Sequence, residues 1–488
     1  MTICFNGNDF KYEIEAVMKL FLPVTSFEFL YEETVSEGDY TVISVKEKED
    51  FFALKVIVCL DGKRAVMNGK YPKSEGIKKC ELSLCRMLYK CLLKITGKVQ
   101  PWGAITGIRP VKEVNRLMSE GLSEDEIRSV LKKKYFISDE KFELAYKTAV
   151  TQESLIKIPE NSFSLYISIP FCPTRCRYCS FVSHSMDSAV KLIPDYIAKL
   201  CEEIKIIADY ADKQNLSLDT IYFGGGTPTS LSAEELRIIM KTVSECFTIS
   251  AVREYTVEAG RADTITEEKL VVIKENGGKR ISVNPQTMNN KVLETIGRSH
   301  TAEQVREAFS LARKVGFDNI NTDLIAGLPS DNYESFKNTL DEVIGLDPES
   351  ITVHTLTLKR ASSLFREADL VSDEDIAKMV SYSVDRLCKE GYNPYYLYRQ
   401  KNTLNNLENV GYAKSGKESL YNIFIMEETQ TILAAGAAAS TKLCDSKSGK
   451  IERIYNYKFP YEYINRFETL MEKKKDIDAF YEKYPINR

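Results

Sequence analysis

Apolar positions recur at two different periods along this chain, and the period changes with position. Over residues 10–22 they fall three and four apart, which predicts a helix. Residues 40–46 and 51–60 alternate instead. After the turn Asp61-Gly62-Lys63 the run 64–68 continues the alternation, so the three together predict a small β-meander. Helical spacing returns over 77–95, 110–120 and 123–135. The last stretch begins Ser123-Glu124-Asp125-Glu126, where the hydroxyl of the first residue and the carboxylate of the fourth satisfy each other's free backbone amides at a helix start. Between these helices a glycine-rich loop, 101–110, carries the single tryptophan, Trp102, which either plugs a domain interface or faces an active site.

Beyond residue 160 short apolar runs alternate with helix-length patterns. The runs are 164–169, 220–223, 255–257, 280–283, 319–324 and 350–356, and 192–209 and 302–315 are helical stretches among them. Six strand-helix units imply a parallel sheet whose right-handed crossovers curl it into a partial barrel. The expected fold class is α/β: a partial (βα)6 barrel at 156–357, an N-terminal α+β domain at 1–155 and a C-terminal α+β extension at 358–488. The extension is expected to hold a helix at 373–390, strands near 419–426 and 431–435, a turn of small residues at 435–440 and a helix at 461–474. In barrels the chemistry sits on loops at the C-terminal ends of the strands. Here a cysteine loop follows the first run, Gly224-Gly225-Gly226-Thr227-Pro228 follows the second, Glu258 ends the third, Gln286 follows the fourth and Asp323 closes the fifth.

Composition narrows the classes. With 488 residues, 43% of them hydrophobic, the chain is long enough for several buried cores. No stretch approaches the roughly 18 apolar residues of a bilayer span, and the first residues include early acids, so a cytoplasmic protein without membrane attachment is expected. A net charge of −4 gives no global attraction to nucleic acid, and the lysine runs 132–134 and 473–475 read as solvated helix faces. Twelve cysteines in such a chain read as metal ligands plus buried thiols, not as a disulfide framework.

Three of those cysteines carry the chemistry. Cys172, Cys176 and Cys179, spaced C-x3-C-x2-C on one loop, can supply three thiolates to a [4Fe–4S] cluster, and no fourth cysteine follows locally to close the last iron. An open iron is a place for an exogenous ligand. With His184 five residues after Cys179, a Cys3His zinc site is the alternative. The spacing, with aromatic Tyr178 before the last cysteine, resembles the radical S-adenosylmethionine (SAM) enzymes.

The remaining motifs sharpen the resemblance. The segments 166–172 (YISIPFC), 224–229 (GGGTPT), Glu258, 284–287 (NPQT), Gly297-Arg298 and 323–329 (DLIAGLP) resemble the oxygen-independent coproporphyrinogen III oxidase family, and the long N-terminal extension is like that of its HemZ-type subgroup. That resemblance implies a [4Fe–4S] cluster on Cys172, Cys176 and Cys179, with Tyr166, Gly225 and Glu258 contacting cluster-bound SAM. Tyr178, Gly226, Thr227, Gln286, Arg298 and Asp323 match positions lining a second SAM site or its surroundings. It implies reductive cleavage of SAM and oxidative decarboxylation of two propionates of coproporphyrinogen III to vinyl groups, giving protoporphyrinogen IX in haem biosynthesis. A small electron-donor protein such as flavodoxin or ferredoxin would serve a monomeric enzyme. One departure is Ser180-Phe181, where the oxidases carry a fourth cysteine motif; the related haem chaperones look like this chain there. A haem chaperone and a radical enzyme of haem breakdown therefore stay open as alternatives. A propionate-bearing substrate also calls for cations, and the run Tyr395-Tyr396-Leu397-Tyr398-Arg399-Gln400-Lys401 offers Arg399 and Lys401 as partners, or else an amphipathic strand.

Overall fold

A computed structural model describes every residue except 24, 33–36, 182–183, 360, 367–370, 402, 446 and 487–488. The chain divides into two compact units, 1–146 with 399–402, and 147–398 with 403–488.

The first unit is built on a five-stranded sheet. Its strands are β1 (Thr2–Asn6), β2 (Glu28–Tyr31), β3 (Tyr40–Glu47), β4 (Phe51–Leu60) and β5 (Lys63–Pro72), in the order β2-β1-β3-β4-β5. The meander expected from alternation is β3 to β5, paired antiparallel throughout. β1 lies parallel to both β2 and β3, a pairing that strands of four and five residues are too short to announce. Helices Lys11–Phe21 and Glu81–Thr96 bring Ile14, Val17, Leu84 and Leu88 against Phe5, Ile43, Leu54 and Val56 of the sheet. Helix Glu124–Tyr135 starts as its sequence requires, with the Ser123 amide donating to Glu126 Oε2 at 2.8 Å. Trp102 is buried, and the Arg399 guanidinium sits 6.0 Å from its ring.

The second unit holds an eleven-stranded sheet and a two-stranded pair. The strands are β6 (Ser162–Ile169), β7 (Phe171–Cys172), β8 (His184–Ser185), β9 (Ser217–Gly225), β10 (Glu254–Glu258), β11 (Arg280–Ser282), β12 (Ile320–Ala326), β13 (Ser350–Thr355), β14 (Asn393–Arg399), β15 (Glu408–Ala413), β16 (Thr431–Ala435), β17 (Ser440–Asp445) and β18 (Lys450–Tyr455). The large sheet runs β14-β15-β13-β12-β11-β10-β9-β6-β16-β17-β18, and β7 pairs with β8. The six parallel neighbours β6, β9, β10, β11, β12 and β13 are the six expected strands, a partial barrel with open ends. C-terminal residues extend it on both sides: β15 runs antiparallel to β13, and β16 parallel to β6. Helices Ile193–Lys213, Ala233–Cys246, Ala302–Val315 and Tyr333–Gly345 pack their apolar faces on the sheet. Among the described residues no helix is long and apolar enough to cross a membrane.

Two expectations for the extension are corrected. The run 419–426 is not a strand but the helix Leu420–Glu427. Its continuous apolar character suited either element, and capping decides it: Ser419 Oγ accepts from the Asn422 amide at 3.3 Å, and the buried Glu254 carboxylate accepts from Ser419 Oγ at 2.9 Å and from the Leu420 and Tyr421 amides. The helix expected at 461–474 breaks at Arg466 into Pro460–Asn465 and Phe467–Lys474.

One buried ion pair ties the C-terminal residues to the barrel. Glu203 and Lys474 are both fully buried, with Nζ 3.0 Å from Oε1. Glu203 also accepts from the Gly436 amide (2.7 Å), Asn456 Nδ2 (2.8 Å) and the Tyr463 hydroxyl (2.7 Å), and Lys474 Nζ donates to the Ala434 carbonyl at 2.6 Å. Removing one partner of such a pair strands the other charge in a dry interior. Lys474→Met is therefore expected to cost about 3–5 kcal/mol, read as a lower urea midpoint for the second unit, and Glu203→Gln on top of it should restore part of the loss.

Candidate functional site

The cysteine loop leaves the barrel at the end of β6 and is gripped from several strands. Cys172 ends β7, with its Sγ 3.5 Å from Thr227 Oγ1. Cys176 is buried, and a tight turn brings the Cys179 amide to its carbonyl at 3.1 Å. Between them the Arg177 amide donates to the Ile296 carbonyl at 3.0 Å, and its guanidinium donates to the Thr295 carbonyl at 2.8 Å. The Tyr178 hydroxyl accepts from Arg298 Nη2 at 2.9 Å, while Arg298 Nη1 donates to the carbonyls of Gly260 (3.0 Å) and Asn284 (2.7 Å). Burial pushes the Cys179 thiol up, and the nearby Cys176 and Cys172 thiols push it further, so the three sulfurs feel one another. Among the described residues no three His, Cys, Asp or Glu side chains converge on one ion position. Three thiolates on one loop suit a cluster in which each takes a different iron.

The glycine turn after β9 is the seat of that loop. A Cβ on Gly226 would lie 2.5 Å from the Phe171 carbonyl oxygen, and one on Gly225, whose φ is +104°, would lie 2.8 Å from Ser168 Oγ. Only glycine fits so close a crossing of main chains. The Gly226 amide donates to the Ile169 carbonyl at 2.8 Å and the Thr227 amide to the Phe171 carbonyl at 2.7 Å. On the other side of β6, Ser168 Oγ donates to the Ala437 carbonyl at 2.7 Å, so the small-residue turn at 435–440 buttresses the same corner.

Carboxylates and phenols occupy the adjoining rim. Glu258, at the end of β10, accepts from the Tyr222 hydroxyl at 2.6 Å. Its carboxyl is pushed up to about 7 by burial and, less strongly, by the charge of Asp323, against the hydrogen bond from Tyr222. Tyr166 and Tyr421 stack with Tyr222, at centroid distances of 6.3 Å from Tyr166 and 4.4 Å from Tyr421. Burial raises all three phenols, with Glu258 adding to the effect, so they remain neutral donors. Gln286 takes a left-handed conformation (φ +70°) that lets it bridge to β12, its amide donating to the Asp323 carbonyl at 3.0 Å. Asp323 accepts from Asn321 Nδ2 at 2.8 Å and faces His354 Nε2 at 3.9 Å. Burial works against its charge, yet His354, and after it Asn321 and Thr352, hold the carboxyl below its ordinary range. The other His354 nitrogen lies 3.5 Å from the Tyr398 hydroxyl.

Of the barrel candidates, Cys172, Cys176, Cys179 and Tyr178 lie on the cysteine loop, Gly225, Gly226, Thr227, Glu258 and Gln286 at or just after strand ends, Tyr166 and Asp323 within β6 and β12, and Arg298 after the helix Asn290–Thr295. Tyr222, Tyr421, His354 and Arg261 were not singled out. Tyr222 stands in the same predicted strand as the glycine turn and was the most findable; Tyr421 was hidden by the strand reading of its helix. Arg399 is corrected. Its side chain is buried in the first unit, donating from Nη1 to the Ile105 carbonyl at 2.5 Å, so it does not stand as a free propionate partner, while Lys401 is exposed, 5.0 Å over the Tyr12 ring.

Comparison with known proteins agrees with this geometry. The model of the radical SAM superfamily matches residues 166–343. The oxygen-independent coproporphyrinogen-III oxidase-like protein HemZ of Bacillus subtilis is 41% identical over 421 residues, covering 84% of each chain. This chain belongs to the oxygen-independent coproporphyrinogen III oxidase-like family of radical SAM proteins. The HemZ match is longer than the second unit, so the likeness runs into the first. The heme chaperone HemW of Lactococcus lactis is 31% identical over 64% of this chain and 79% of its own. The solved coproporphyrinogen III oxidase HemN of Escherichia coli, at 23% identity, covers 66% of this chain and 73% of its own with a TM-score of 0.51, which shows the shared fold.

Membership makes the chain a radical SAM oxidoreductase and implies a [4Fe–4S] cluster and SAM. The residues present fit those groups: three thiols on one braced loop, beside a neutralisable carboxyl and hydroxyl donors. In the cofactor-free protein Glu258 should also set a pH dependence. Between the ordinary carboxyl value and about 7 the folded chain keeps a proton that the unfolded chain has released, so stability falls as pH rises through that window. Glu258→Gln removes the fall. Its melting temperature should exceed that of the unsubstituted protein at about pH 8 and approach it near pH 5.

Proposed function

We propose that this chain carries out the oxygen-independent oxidative decarboxylation of coproporphyrinogen III, turning propionates into vinyl groups. The observation that carries the reading is the grip of Arg298 on Tyr178 of the cysteine loop, on a barrel of six parallel strands that also carries Glu258 and Asp323 within electrostatic reach of each other. Cys172, Cys176 and Cys179 would hold the cluster. Tyr166, Gly225 and Glu258 would contact SAM, with Tyr178, Gly226, Thr227, Gln286, Arg298 and Asp323 lining a second SAM site or the surrounding wall. Held there, the cluster and SAM would supply one-electron chemistry able to take hydrogen from an unactivated carbon.

The chain's own part is positioning. Glu258, half protonated near neutrality and anchored by Tyr222, can accept from an ammonium or ribose hydroxyl without a mobile partner. The Arg298 to Tyr178 contact fixes the loop between Cys176 and Cys179, so the reacting groups are held in one register. Tyr395, Tyr396 and Tyr398 form an aromatic run along β14, with centroids 4.9 Å and 6.2 Å apart, and Tyr396 and Tyr398 reach Thr352 and His354. Tyr395 and Tyr396 are buried and stiffen the strand, leaving Tyr398 as the partly exposed ring that could meet a flat tetrapyrrole. The B. subtilis and E. coli relatives are named for this substrate, which supports the choice.

The second reading is a haem chaperone, favoured by Ser180-Phe181 and by the HemW likeness; Phe181 is exposed at the loop's edge. An anaerobic assay of the reconstituted protein with dithionite, SAM and coproporphyrinogen III separates the two. Products lacking one or two carboxyl groups, formed with deoxyadenosine and lost in Cys176→Ala, are expected. Deoxyadenosine without porphyrin change, together with tight haem binding, would overturn the decarboxylase reading.

A further inference from the structure

A second buried arginine reaches the cysteine loop, and it does so at a sulfur. Arg261 follows β10 by three residues and is 2% exposed. Its Nη1 lies 3.8 Å from Cys176 Sγ, within range of an N–H···S hydrogen bond, and also donates to Thr174 Oγ1 at 3.1 Å and to the Thr174 carbonyl at 3.4 Å. The far side of the guanidinium is fixed by Asp263, which accepts from Nε at 3.0 Å and from Nη2 at 2.9 Å. His300 Nδ1 lies 3.7 Å from the same carboxylate; of the other cations at the loop, Arg298 is held by Tyr178 and by the Gly260 and Asn284 carbonyls, Arg177 by the Thr295 carbonyl and Arg175 by the Ala361 carbonyl. The fork is thus held in one plane, with its Nη1 edge turned to the loop and its opposite edge to a carboxylate.

A guanidinium buried at this cost needs a reason. Anchoring Thr174 is one, but a Thr174 contact alone would be met by a neutral donor, whereas the guanidinium brings a fixed positive edge to within hydrogen-bond reach of a sulfur that would ligate iron. Hydrogen bonds and positive charge at a ligating thiolate stabilise the reduced cluster, which carries one more negative charge, and so raise its potential. The Asp263 carboxylate behind the guanidinium pulls the other way.

We infer that Arg261 is a positioning residue that sets the reduction potential of the cluster through the Cys176 thiolate, with Asp263 as its opposing charge. This rests on the assignment of the cluster to Cys172, Cys176 and Cys179. The redox step is a single electron passed from a low-potential one-electron donor to the oxidised cluster, with no bond broken and no proton moved. Nothing in the superfamily likeness assigns Arg261, and its sequence gave no separate sign beyond proximity to Glu258.

The test is an EPR-monitored potentiometric titration of the reconstituted protein, with iron and sulfide content measured for each sample and dithionite as reductant. Arg261→Met should lower the equilibrium constant for reduction about tenfold, a shift of about 59 mV for a one-electron couple. Arg261→Lys, which keeps the charge but not the fork, should fall between that variant and the unsubstituted protein. Asp263→Asn should shift the potential upward, because it keeps an acceptor for Arg261 and removes the opposing charge. If Arg261→Met fails to load a cluster, the Lys and Asn variants decide. Equal potentials at full iron content, or Asp263→Asn shifting downward, would overturn the inference. An unsubstituted protein that loads no cluster would instead overturn the cluster assignment itself.

Discussion

Everything at this site hangs on a close crossing of two stretches of main chain, the glycine turn after β9 and the end of β6. The approach is too tight for any side chain at Gly226, and the amides of Gly226 and Thr227 are spent on the carbonyls of Ile169 and Phe171. A loop that must hold three thiols in a fixed arrangement gains from being pinned by backbone groups, which have few rotamers to lose. The corner is braced from behind by the turn at Gly436, whose amide is held by Glu203 and whose neighbour Ala437 accepts from Ser168. The buried Glu203 and Lys474 pair thus belongs to the site's foundations as well as to the fold.

Burial then sets the electrostatics. Glu258 lies where desolvation, more than any partner, governs its proton, so it can change charge near neutrality. Asp323 also loses solvation there, yet His354 and Asn321 hold its carboxyl below the ordinary range. Two carboxyls near one another therefore shift in opposite directions, because His354 and its neighbours outweigh desolvation at Asp323 while the single Tyr222 hydroxyl does not at Glu258. Two buried guanidinium groups flank the loop with distinct jobs, Arg298 gripping the Tyr178 hydroxyl and Arg261 reaching the Cys176 sulfur.

The barrel was legible because parallel strands buried on both faces read as short apolar runs between amphipathic helices, and all six appeared where expected. The site residues were legible because barrel chemistry collects at strand ends, which ranked Glu258 and Asp323 above other carboxylates. What stayed hidden had tertiary causes. The helix at Leu420–Glu427 depends on the distant Glu254 for its cap, and Tyr421 enters the site only because that helix forms. Arg399 looked like a substrate cation because sequence cannot say that its guanidinium is used by the Ile105 carbonyl. The short strands β1, β2, β17 and β18 pair with partners far along the chain or lack a clear alternation, and propensity alone does not find them.

The most direct measurement is the EPR spectrum of the reduced, reconstituted protein with and without SAM. A [4Fe–4S] signal that depends on Cys172, Cys176 and Cys179 and changes on addition of SAM is expected from an iron left open by a three-thiolate loop. A cluster whose signal is indifferent to SAM, or one that persists when any of the three cysteines is replaced by alanine, would contradict it.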